Sequence, residues 1–528
     1  MHTLLIRGGR VLDGTGGPWF RMDIAVKGDS ISAMGDLRGE NAETVIDADG
    51  LYVSPGFIDL HSHSDYPILI DGCANSHVRQ GVTTEGIGNC GSSAAPLTDE
   101  MAGKVAFRRG GEPPNWRSYG EYIKELEKSG SSINIVPIVG QGAIRNAVMG
   151  YDDRPAGAQE IEAMKALVYQ AMDEGCFGVS TGLIYTPSCY AGTDEIVELA
   201  YAAGEYGGTY FTHIRGENDT VIEAVAEAIE IGRRAGVPVH IAHLKAMGSH
   251  MWGKSVDILG MIDGARREGI EVTFDQYPYT ASATGLSAVL PPWAHVGGTD
   301  KLMERLADHE TRARMRRDIE KGVDGWFSLF KGVGWENILI TGNAGEDEIG
   351  KSVAEIARKR GKDGFDTCFD LLSEHKGQVR TVFFNIGDED LERIMRHPAG
   401  MIGSDSSVGS VDGPLRAGKP HPRGFGTFVR VLGHYVREKR TITLEEAVRK
   451  MTSAPAAKLR LPDRGILRPG MKADIVVFDA DTVADKATYV DPFQYPVGIE
   501  LVTVNGSITV RAGAHTGEKA GRVLRRGR

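Results

Sequence analysis

Two histidines in the segment GFIDLHSHSDY, His61 and His63, follow an apolar run and are separated by a single serine. Residues two apart on a strand point to the same face, so both imidazoles can bind one ion. An H-x-H pair by itself is equally compatible with solvated polar residues at a strand end. Its interpretation as half of a metal site depends on ligands from elsewhere in the chain.

Further residues of metal-binding or acid-base type follow other apolar runs. They are Cys90 in GNCG, His213 in TYFTHI, His243 in PVHIAHL and Asp405 in GMIGSD. Taken singly, each is more typical of a buried or turn residue. Together, a thiolate and several imidazoles suit a borderline-soft divalent ion, which favours zinc over magnesium or calcium. We therefore predict a zinc site made of His61, His63, Cys90, His213 and His243.

The elements that must position these residues are alternating strands and helices, which is typical of βα units around a parallel sheet. Amphipathic helices are predicted at 158–174, 193–206, 219–235 and 255–268. Eight core strands are predicted at 54–60, 82–88, 133–140, 177–183, 209–214, 238–244, 271–277 and 400–405. The fold class is thus α/β, with a (β/α)8 TIM-like barrel. Barrel enzymes gather their chemistry at the carboxyl ends of the strands, where the candidate ligands fall.

Both chain ends differ in texture from the barrel region. Short alternating strands with glycine-rich turns fill residues 1–54 and return at 465–528, which predicts one small β-sandwich domain built from both termini. The catalytic barrel is expected over 55–464. The interval between the seventh and eighth strands is longer than a βα loop needs, so 285–390 is predicted to be an inserted subdomain that forms a lid or substrate wall.

Composition limits the partners. Among 528 residues, 60 Lys and Arg face 71 Asp and Glu, a net charge of −11, which argues against nucleic acid or an acidic membrane as the main partner. No apolar run is long enough to span a membrane, and the first residues do not resemble a signal peptide. Five scattered cysteines are unlike a disulfide framework, so a cytoplasmic location is expected. The basic segment RVLRRGR is predicted to be a solvated terminus.

Several longer motifs identify a family. PGFIDLHSHSD, the later histidines, the strand-eight aspartate and GILRPGMKADIVVFD together resemble the amidohydrolase superfamily. TTEGIGNCGSSAAP, FTHIRGE, IAHLKAMG, DQYPYTAS and LPPWA are similar to its D-aminoacylase branch. This resemblance implies that the barrel is of the metal-dependent hydrolase type. It also implies a zinc-dependent enzyme that hydrolyses small-molecule N-acyl-D-amino acids to a carboxylate and a free D-amino acid.

The resemblance also implies roles for individual residues. Cys90 matches a bridging position that many relatives fill with a carboxylated lysine on strand four, and FGVSTGL carries no lysine. One tightly held zinc would use Cys90, His213 and His243. His61 and His63 would complete a second, weaker position that shares Cys90.

Chemistry and substrate binding require further groups. Asp405 would act as general base and then general acid, because it follows the last strand beside the predicted ion. Lys245, two residues after His243, is expected to bind the substrate carboxylate, with Tyr277 and Ser282 as further candidates. Arg215 and Arg416 are interpreted as structural. Trp293 in the insertion would favour an apolar or aromatic side chain if it lines the pocket.

Two alternatives remain open at this point. A cyclic amidase or dipeptidase of the same superfamily, such as a dihydroorotase, hydantoinase or isoaspartyl dipeptidase, is disfavoured by Cys90 in place of the strand-four lysine. A non-catalytic relative is disfavoured because such proteins are expected to lose their ligands. The sequence makes no prediction of oligomeric state.

Overall fold

The computed structural model describes residues 1–109, 112–323 and 325–527. The chain begins with five strands separated by glycine-rich turns. They are β1 (His2–Val11), β2 (Phe20–Lys27), β3 (Ser30–Gly35), β4 (Ala42–Asp47) and β5 (Tyr52–Pro55). β1 pairs in parallel with β4 along its first half and with β5 at its end, while β2 runs antiparallel to it. β1 thereby pairs with three strands of the same sheet.

Seven of the eight barrel strands follow, and all are parallel to their neighbours. The strands are β6 (Phe57–Asp59), β7 (Val82–Ile87), β8 (Asn134–Pro137) continued by β9 (Val139–Gly140), β10 (Gly178–Gly182), β11 (Thr209–His213), β12 (Val239–Ile241) and β13 (Val272–Gln276). Each pair of hydrogen-bonded neighbours runs in the same direction. Each lies within a segment that the sequence predicts as a strand.

Helices connect these strands on the outside. They are α1 (Pro67–Ile70), α2 (Asn75–Val78), α3 (Asp99–Arg109), α4 (Tyr119–Ser129), α5 (Gln141–Met149), α6 (Ala158–Asp173), α7 (Thr193–Glu205), α8 (Val221–Ala235) and α9 (Ser255–Arg267). The four predicted helices correspond to α6, α7, α8 and α9, with ends that differ by at most two residues. Their apolar stripes pack into the main core against the barrel strands, which is why the spacing of apolar residues located them.

An insertion separates the seventh strand from the eighth. It contains a three-stranded antiparallel sheet and four helices. These are β14 (Ala281–Gly285), α10 (Gly298–Ala307), α11 (His309–Lys321), β15 (Ile338–Gly342), α12 (Val353–Arg360), α13 (Gly364–Glu374) and β16 (Arg380–Phe384). A separate apolar cluster that includes Leu286, Phe369 and Phe383 fills its interior. The insertion is therefore a subdomain with its own core.

The remainder of the chain closes the barrel and returns to the terminal domain. The elements are α14 (Asp388–Arg396), β17 (Gly400–Ile402), α15 (Arg423–Arg430) with a π-helical continuation over Val431–Glu438, α16 (Leu444–Met451), α17 (Ser453–Lys458), β18 (Ile475–Phe478), β19 (Ile499–Val504), β20 (Ser507–Arg511) and β21 (Ala514–His515). β17 pairs with β13, and the amide of Asp405 donates to the carbonyl of His61, 2.8 Å away. The eighth strand thus meets the first.

The two chain ends form one nine-stranded sheet, in which β18 pairs with β5. Its strands enclose a core that contains Leu4, Ile24, Val53 and Ile475, so residues from both termini pack together. The predicted fold class, a barrel with a β-sandwich domain from both termini and an insertion after strand seven, is confirmed. Within the described residues, no helix combines the length and apolar composition needed to cross a bilayer.

The basic segment at the C-terminus is not a solvated terminus, so that expectation is wrong. The amide of Ile135 donates to the carbonyl of Arg522 at 2.9 Å, and the amide of Leu524 donates to the carbonyl of Ile135 at 2.8 Å. Val523 and Leu524 pack against the barrel core. Two apolar residues among the arginines allow the segment to satisfy backbone groups at the base of strand three.

Candidate metal centre

The predicted ligands come together at one mouth of the barrel. His61 and His63 follow β6, Cys90 follows β7, His213 ends β11, and His243 follows β12. Carboxyl ends of parallel strands share one face of a barrel, so five sequence-distant side chains converge there.

The backbone at this mouth is strained. Cys90, His243 and Asp405 have φ angles of 51°, 35° and 49°, in the left-handed region that residues other than glycine seldom adopt. Gly182, at the end of β10, has no room for a side chain, because a Cβ atom would lie 2.2 Å from the carbonyl oxygen of Cys90. Left-handed conformations at residues other than glycine cost about 1–3 kcal/mol each and are typical of functional sites. At Cys90, His243 and Asp405 these conformations turn the thiol, the imidazole and the carboxylate toward one point.

Cys90 lies at the junction of two groups of potential ligand atoms. The first contains Cys90, His61, His63 and Asp405, and the second contains Cys90, His213 and His243; within each group all ligand atoms lie within 4.8 Å of one another. The Nε2 atoms of His61 and His243 lie 3.3 Å and 3.6 Å from the Sγ atom of Cys90. The structure therefore offers two adjacent ion positions with a shared sulfur.

The chemistry of these side chains fits a metal ion. Both ring nitrogens of His213 are buried without a hydrogen-bond partner, and burial lowers the pKa of this ring, which leaves it neutral and able to coordinate. Burial raises the pKa of the Cys90 thiol, but the surrounding imidazoles, His61 foremost, hold it well below its usual value. Without an ion, the thiolate and nearby carboxylates raise the pKa of His61, His63 and His243, so these rings carry protons that a metal ion would replace. A thiolate with imidazole nitrogens is a donor set that suits zinc.

Asp275, at the end of the seventh strand, supports two of the predicted ligands. Its carboxylate lies 3.1 Å from Nδ1 of His61, accepts from the amide of His243 at 2.9 Å, and lies 3.0 Å from Nε2 of His240. Burial raises the pKa of Asp275, but the charges of His61 and His240 and their hydrogen bonds lower it by more. The net shift is therefore downward. The ionised carboxylate can orient the His61 ring so that its Nε2 faces Cys90.

Glu217 lies beside His213 and also beside His243, whose backbone amide already donates to Asp275. Its carboxylate lies 2.9 Å from Nδ1 of His243 and 3.5 Å from Nε2 of His213. Lys245 donates to this carboxylate from a buried position, and its Nζ atom lies 2.8 Å from Nδ1 of His243. Lys245 thus stands beside a predicted ligand, as expected from the spacing, but its ammonium is already paired.

Arg423, the first residue of α15, is a functional candidate that sequence reasoning missed. Its Nη1 atom lies 2.8 Å from Oδ2 of Asp405, while Oδ1 of Asp405 lies 3.1 Å from Nε2 of His63. Burial raises the pKa of Asp405, but Arg423 and the nearby imidazoles hold it well below its usual range. Asp405 is therefore ionised and placed between a cation and the predicted ligands.

A cavity of about 550 Å³ opens above these groups. His63, Cys90, Tyr185, Asp405 and Arg423 all border it. Lys245, Tyr277 and Ser282 are not part of its lining. A molecule in this cavity can reach the thiol, the carboxylate and the guanidinium at once. We refer to it below as the central cavity.

Tyr277 and Ser282 lie close to the central cavity and differ in whether their hydroxyl groups have hydrogen-bond partners. The Tyr277 hydroxyl is buried without a hydrogen-bond partner, and its ring lies 4.6 Å from Cζ of Arg423 and 5.7 Å from Nζ of Lys245. The Ser282 hydroxyl accepts from Asn385 at 2.9 Å. Tyr277 is thus the better placed of the two to receive a further polar group.

The remaining candidates have structural surroundings. Arg215 pairs with Glu227 at 2.9 Å, and Arg416 stacks over Phe493 at 5.2 Å. Trp293 packs against the core of the insertion and donates to Asp318 at 2.9 Å. Trp293 borders neither the central cavity nor the two adjoining cavities, which Trp326 lines instead.

Signals for the missed residues differ. Asp275 follows the same rule as the predicted ligands, since it is a polar residue at the end of an apolar strand, and that rule could have selected it. Glu217 lies four residues after His213 in a loop, and Arg423 begins a helix far from its strand. Neither position has a feature in the sequence that ties it to the site.

Comparison with known proteins identifies the family. A model of the amidohydrolase family matches residues 44–510. The chain belongs to this family. The D-aminoacylase of Alcaligenes xylosoxydans xylosoxydans is 36% identical to this amidohydrolase over 99% of the chain and 97% of the relative. The N-acyl-D-glutamate deacylase of the same organism is also 36% identical, over 99% and 96%.

A solved structure agrees with these relatives. The N-acyl-D-glutamate deacylase of Bordetella bronchiseptica, determined with zinc and a phosphonate inhibitor, matches with a TM-score of 0.84 and 35% identity over 99% of both chains. The predicted resemblance to the D-aminoacylase branch of the amidohydrolases is thereby confirmed.

Proposed function

We propose that this amidohydrolase uses zinc to hydrolyse the amide bond of N-acyl-D-amino acids, releasing a carboxylate and a free D-amino acid. The observation that carries the proposal is the position of Cys90, which is shared by two groups of ligand atoms beside an ionised Asp405. The D-aminoacylase and the N-acyl-D-glutamate deacylase that match over nearly the whole chain support the same chemistry.

The residues for holding zinc are those predicted from the sequence. Cys90, His213 and His243 would hold the tighter ion, and His61 with His63 would complete a weaker position on the other side of Cys90. When bound, zinc supplies a Lewis acid that activates water and polarises an amide carbonyl.

Asp405 would move the proton. Its Oδ1 atom faces the imidazoles and is ionised, so it can accept a proton from the attacking water and return it to the departing amine nitrogen. Arg423, on Oδ2, would keep the carboxylate ionised and oriented between these two transfers. The strained backbone of Asp405 supports a role that requires one fixed orientation.

The amino-acid half of the substrate carries a free carboxylate. Arg423, which borders the central cavity, is the group best placed to bind it, since a guanidinium binds carboxylates through a planar pair of donors. Tyr277, whose ring stacks on Arg423 outside that lining, would add its unpartnered hydroxyl once the substrate opens the space behind the guanidinium. Lys245 and Ser282 would complete this pocket when a substrate competes for their present partners, Glu217 and Asn385.

A cyclic amidase or dipeptidase reaction remains the alternative within the family. The fourth barrel strand, Gly178–Gly182, carries no lysine that could bridge two ions, which disfavours it. A non-catalytic role is disfavoured by the presence of the complete ligand set with Asp405. A cytoplasmic location is supported by five free thiols, Cys73, Cys90, Cys176, Cys189 and Cys368.

One experiment tests the proposal directly. The purified protein is subjected to elemental analysis and assayed with N-acyl-D- and N-acyl-L-amino acids, dihydroorotate, hydantoins and β-aspartyl dipeptides. We expect at least one zinc per chain and turnover confined to the N-acyl-D-amino acids. Preferential turnover of a cyclic amide, or absence of zinc from an active preparation, would contradict the proposal.

A further inference from the structure

Two cavities continue the central cavity under the insertion. A small one of about 170 Å³ shares Tyr185, Thr186 and Thr284 with the central cavity. A larger one of about 630 Å³ shares Ile184, Ala288, Pro292 and Trp326 with the small one. We call these two cavities together the lateral trough, which lies between the loops after β10 to β12 and the insertion.

The trough leaves the metal centre on the side opposite the cationic groups. Tyr185, which follows the fourth strand, marks its entrance: its ring lies 5.0 Å from the His213 ring, and its hydroxyl lies 3.1 Å from that of Thr284. Tyr277 and Arg423 follow the seventh and eighth strands. In a closed ring of eight strands, the fourth and the eighth face each other across the mouth.

This arrangement gives an amide substrate one orientation. A substrate with its α-carboxylate at Arg423 would place the scissile carbonyl near Cys90 and direct the acyl group away from the amino-acid half, toward Tyr185, since all three residues border the central cavity. The side chain on the α-carbon branches before the carbonyl and remains in the central cavity. The acyl group is therefore the part of the substrate that meets the trough.

The lining of the trough selects an apolar occupant. Its walls include Trp326, Phe327, Leu329, Met247 and Ala288. Aromatic and aliphatic walls around a few polar groups, with a volume of several hundred Å³, are typical of pockets that enclose an apolar group much larger than acetyl.

Charges along the trough exclude an anionic occupant. Three carboxylates, Glu217, Glu223 and Glu227, border it, and the one cation among the residues described there, Arg215, is paired with Glu227. Glu217 is paired with Lys245, so both nearby cations are already occupied, and a free carboxylate in the trough would approach Glu223 with no available counter-ion among the described residues.

We propose that the lateral trough is the acyl-binding subsite, and that the enzyme acts on D-amino acids whose acyl group is a medium-length aliphatic chain or an arylacetyl group rather than acetyl. This inference rests on the proposed function. It assigns a substrate class to a cavity formed by the insertion, which thereby acts as a substrate wall.

The test varies the acyl group while the amino acid stays constant. The zinc enzyme is assayed with N-acetyl-, N-hexanoyl-, N-decanoyl- and N-phenylacetyl-D-leucine. Burial of each methylene contributes up to roughly fourfold in kcat/KM. We expect kcat/KM to rise by about tenfold or more from acetyl to hexanoyl, a fraction of that limit, and to remain high for phenylacetyl.

Variants then tie this preference to the trough. Ala288→Trp places an indole in the trough and should reduce the hexanoyl-to-acetyl ratio of kcat/KM to near one. Ala163→Trp, at an exposed position on the outer helix α6, is the matched control and should keep the ratio. Trp326→Ala, which removes a wall, should lower kcat/KM for phenylacetyl-D-leucine more than for acetyl-D-leucine. Thermal melts establish that each variant is folded.

The outcomes distinguish failure of the acyl subsite from failure of the proposed N-acyl-D-amino-acid hydrolysis. Equal kcat/KM for acetyl and hexanoyl substrates, with both hydrolysed, would overturn the acyl subsite alone. A ratio that Ala288→Trp leaves unchanged would also overturn it, as would an effect of Ala288→Trp that follows the D-side chain in a series of N-acetyl-D-alanine, D-leucine and D-tryptophan. Failure to hydrolyse any N-acyl-D-amino acid would overturn both proposals.

Discussion

The guanidinium of Arg423 lies 2.8 Å from the carboxylate of Asp405, at a depth where both side chains are nearly excluded from water. This pair joins the end of the eighth strand to the first turn of the following helix. An ion pair at such a place favours the charged form of the carboxylate, and the same cation remains close enough to the cavity to meet a substrate carboxylate. The pair thereby links proton transfer to substrate binding.

Replacement of Asp405 tests the proton-transfer role. Asp405→Ala should lower kcat by about 100- to 10,000-fold, because general acid-base catalysis contributes about that factor. Zinc content should remain near that of the wild type, since Cys90, His213 and His243 are unchanged. The measurements are steady-state kinetics and elemental analysis. Unchanged kcat would remove Asp405 from the mechanism.

Removal of the Arg423 charge should shift the pH profile. Arg423 lowers the pKa of Asp405, and the base must be ionised to act. Arg423→Met should therefore raise that pKa and move the acid limb of kcat/KM to higher pH, while KM increases. Arg416→Gln is the control, because Arg416 stacks on Phe493 and does not contact Asp405. An acid limb that stays in place would argue against this coupling.

Loss of the shared thiolate should remove the metal. Cys90→Ala deletes the one sulfur common to both groups of ligand atoms, so we expect zinc per chain to fall to a small fraction of the wild-type value and turnover to fall with it. Cys176→Ala, which removes another buried free thiol, is the control. Both variants are checked for folding by circular dichroism. Full zinc retention by Cys90→Ala would be inconsistent with the proposed centre.

A buried ion pair away from the cavity offers a test of stability. Arg145 on α5 and Glu195 on α7 are almost completely buried and hydrogen bonded to each other. Removing one partner leaves a buried unpaired charge, which costs about 3–5 kcal/mol. Arg145→Met should lower the thermal midpoint clearly, and the double variant Arg145→Met/Glu195→Leu should recover much of that loss. A single variant as stable as the wild type would show that the pair contributes little.

The eight strands were predictable because each is an apolar run bounded by turn residues, and both features are local. The ligands could be proposed for the same reason: His61, Cys90 and His243 each follow such a run. The structure brings them together at one mouth, in agreement with the rule that parallel strands in a barrel share a carboxyl end.

Local sequence says nothing about partners that meet only through packing. Asp275 supports His61 across 214 positions of the chain, and Arg423 reaches Asp405 because α15 begins beside the barrel mouth. Val523 and Leu524 lie within a run of arginines, and they pack against a core formed by distant segments while their backbone pairs with the third strand. Trp293, which the sequence suggested as a pocket wall, is used inside the insertion, and Trp326 lines the trough.

The sequence by itself thus determined the order of strands and helices, the two-part terminal domain and the types of side chain available for a metal site, because periodicity and residue chemistry are properties of short segments. Only the tertiary structure decided which carboxylates stand behind the imidazoles, which cation faces Asp405, and which walls enclose a substrate. Those relationships depend on how the insertion and the strand-end loops lie over the barrel, and packing between distant segments sets that arrangement.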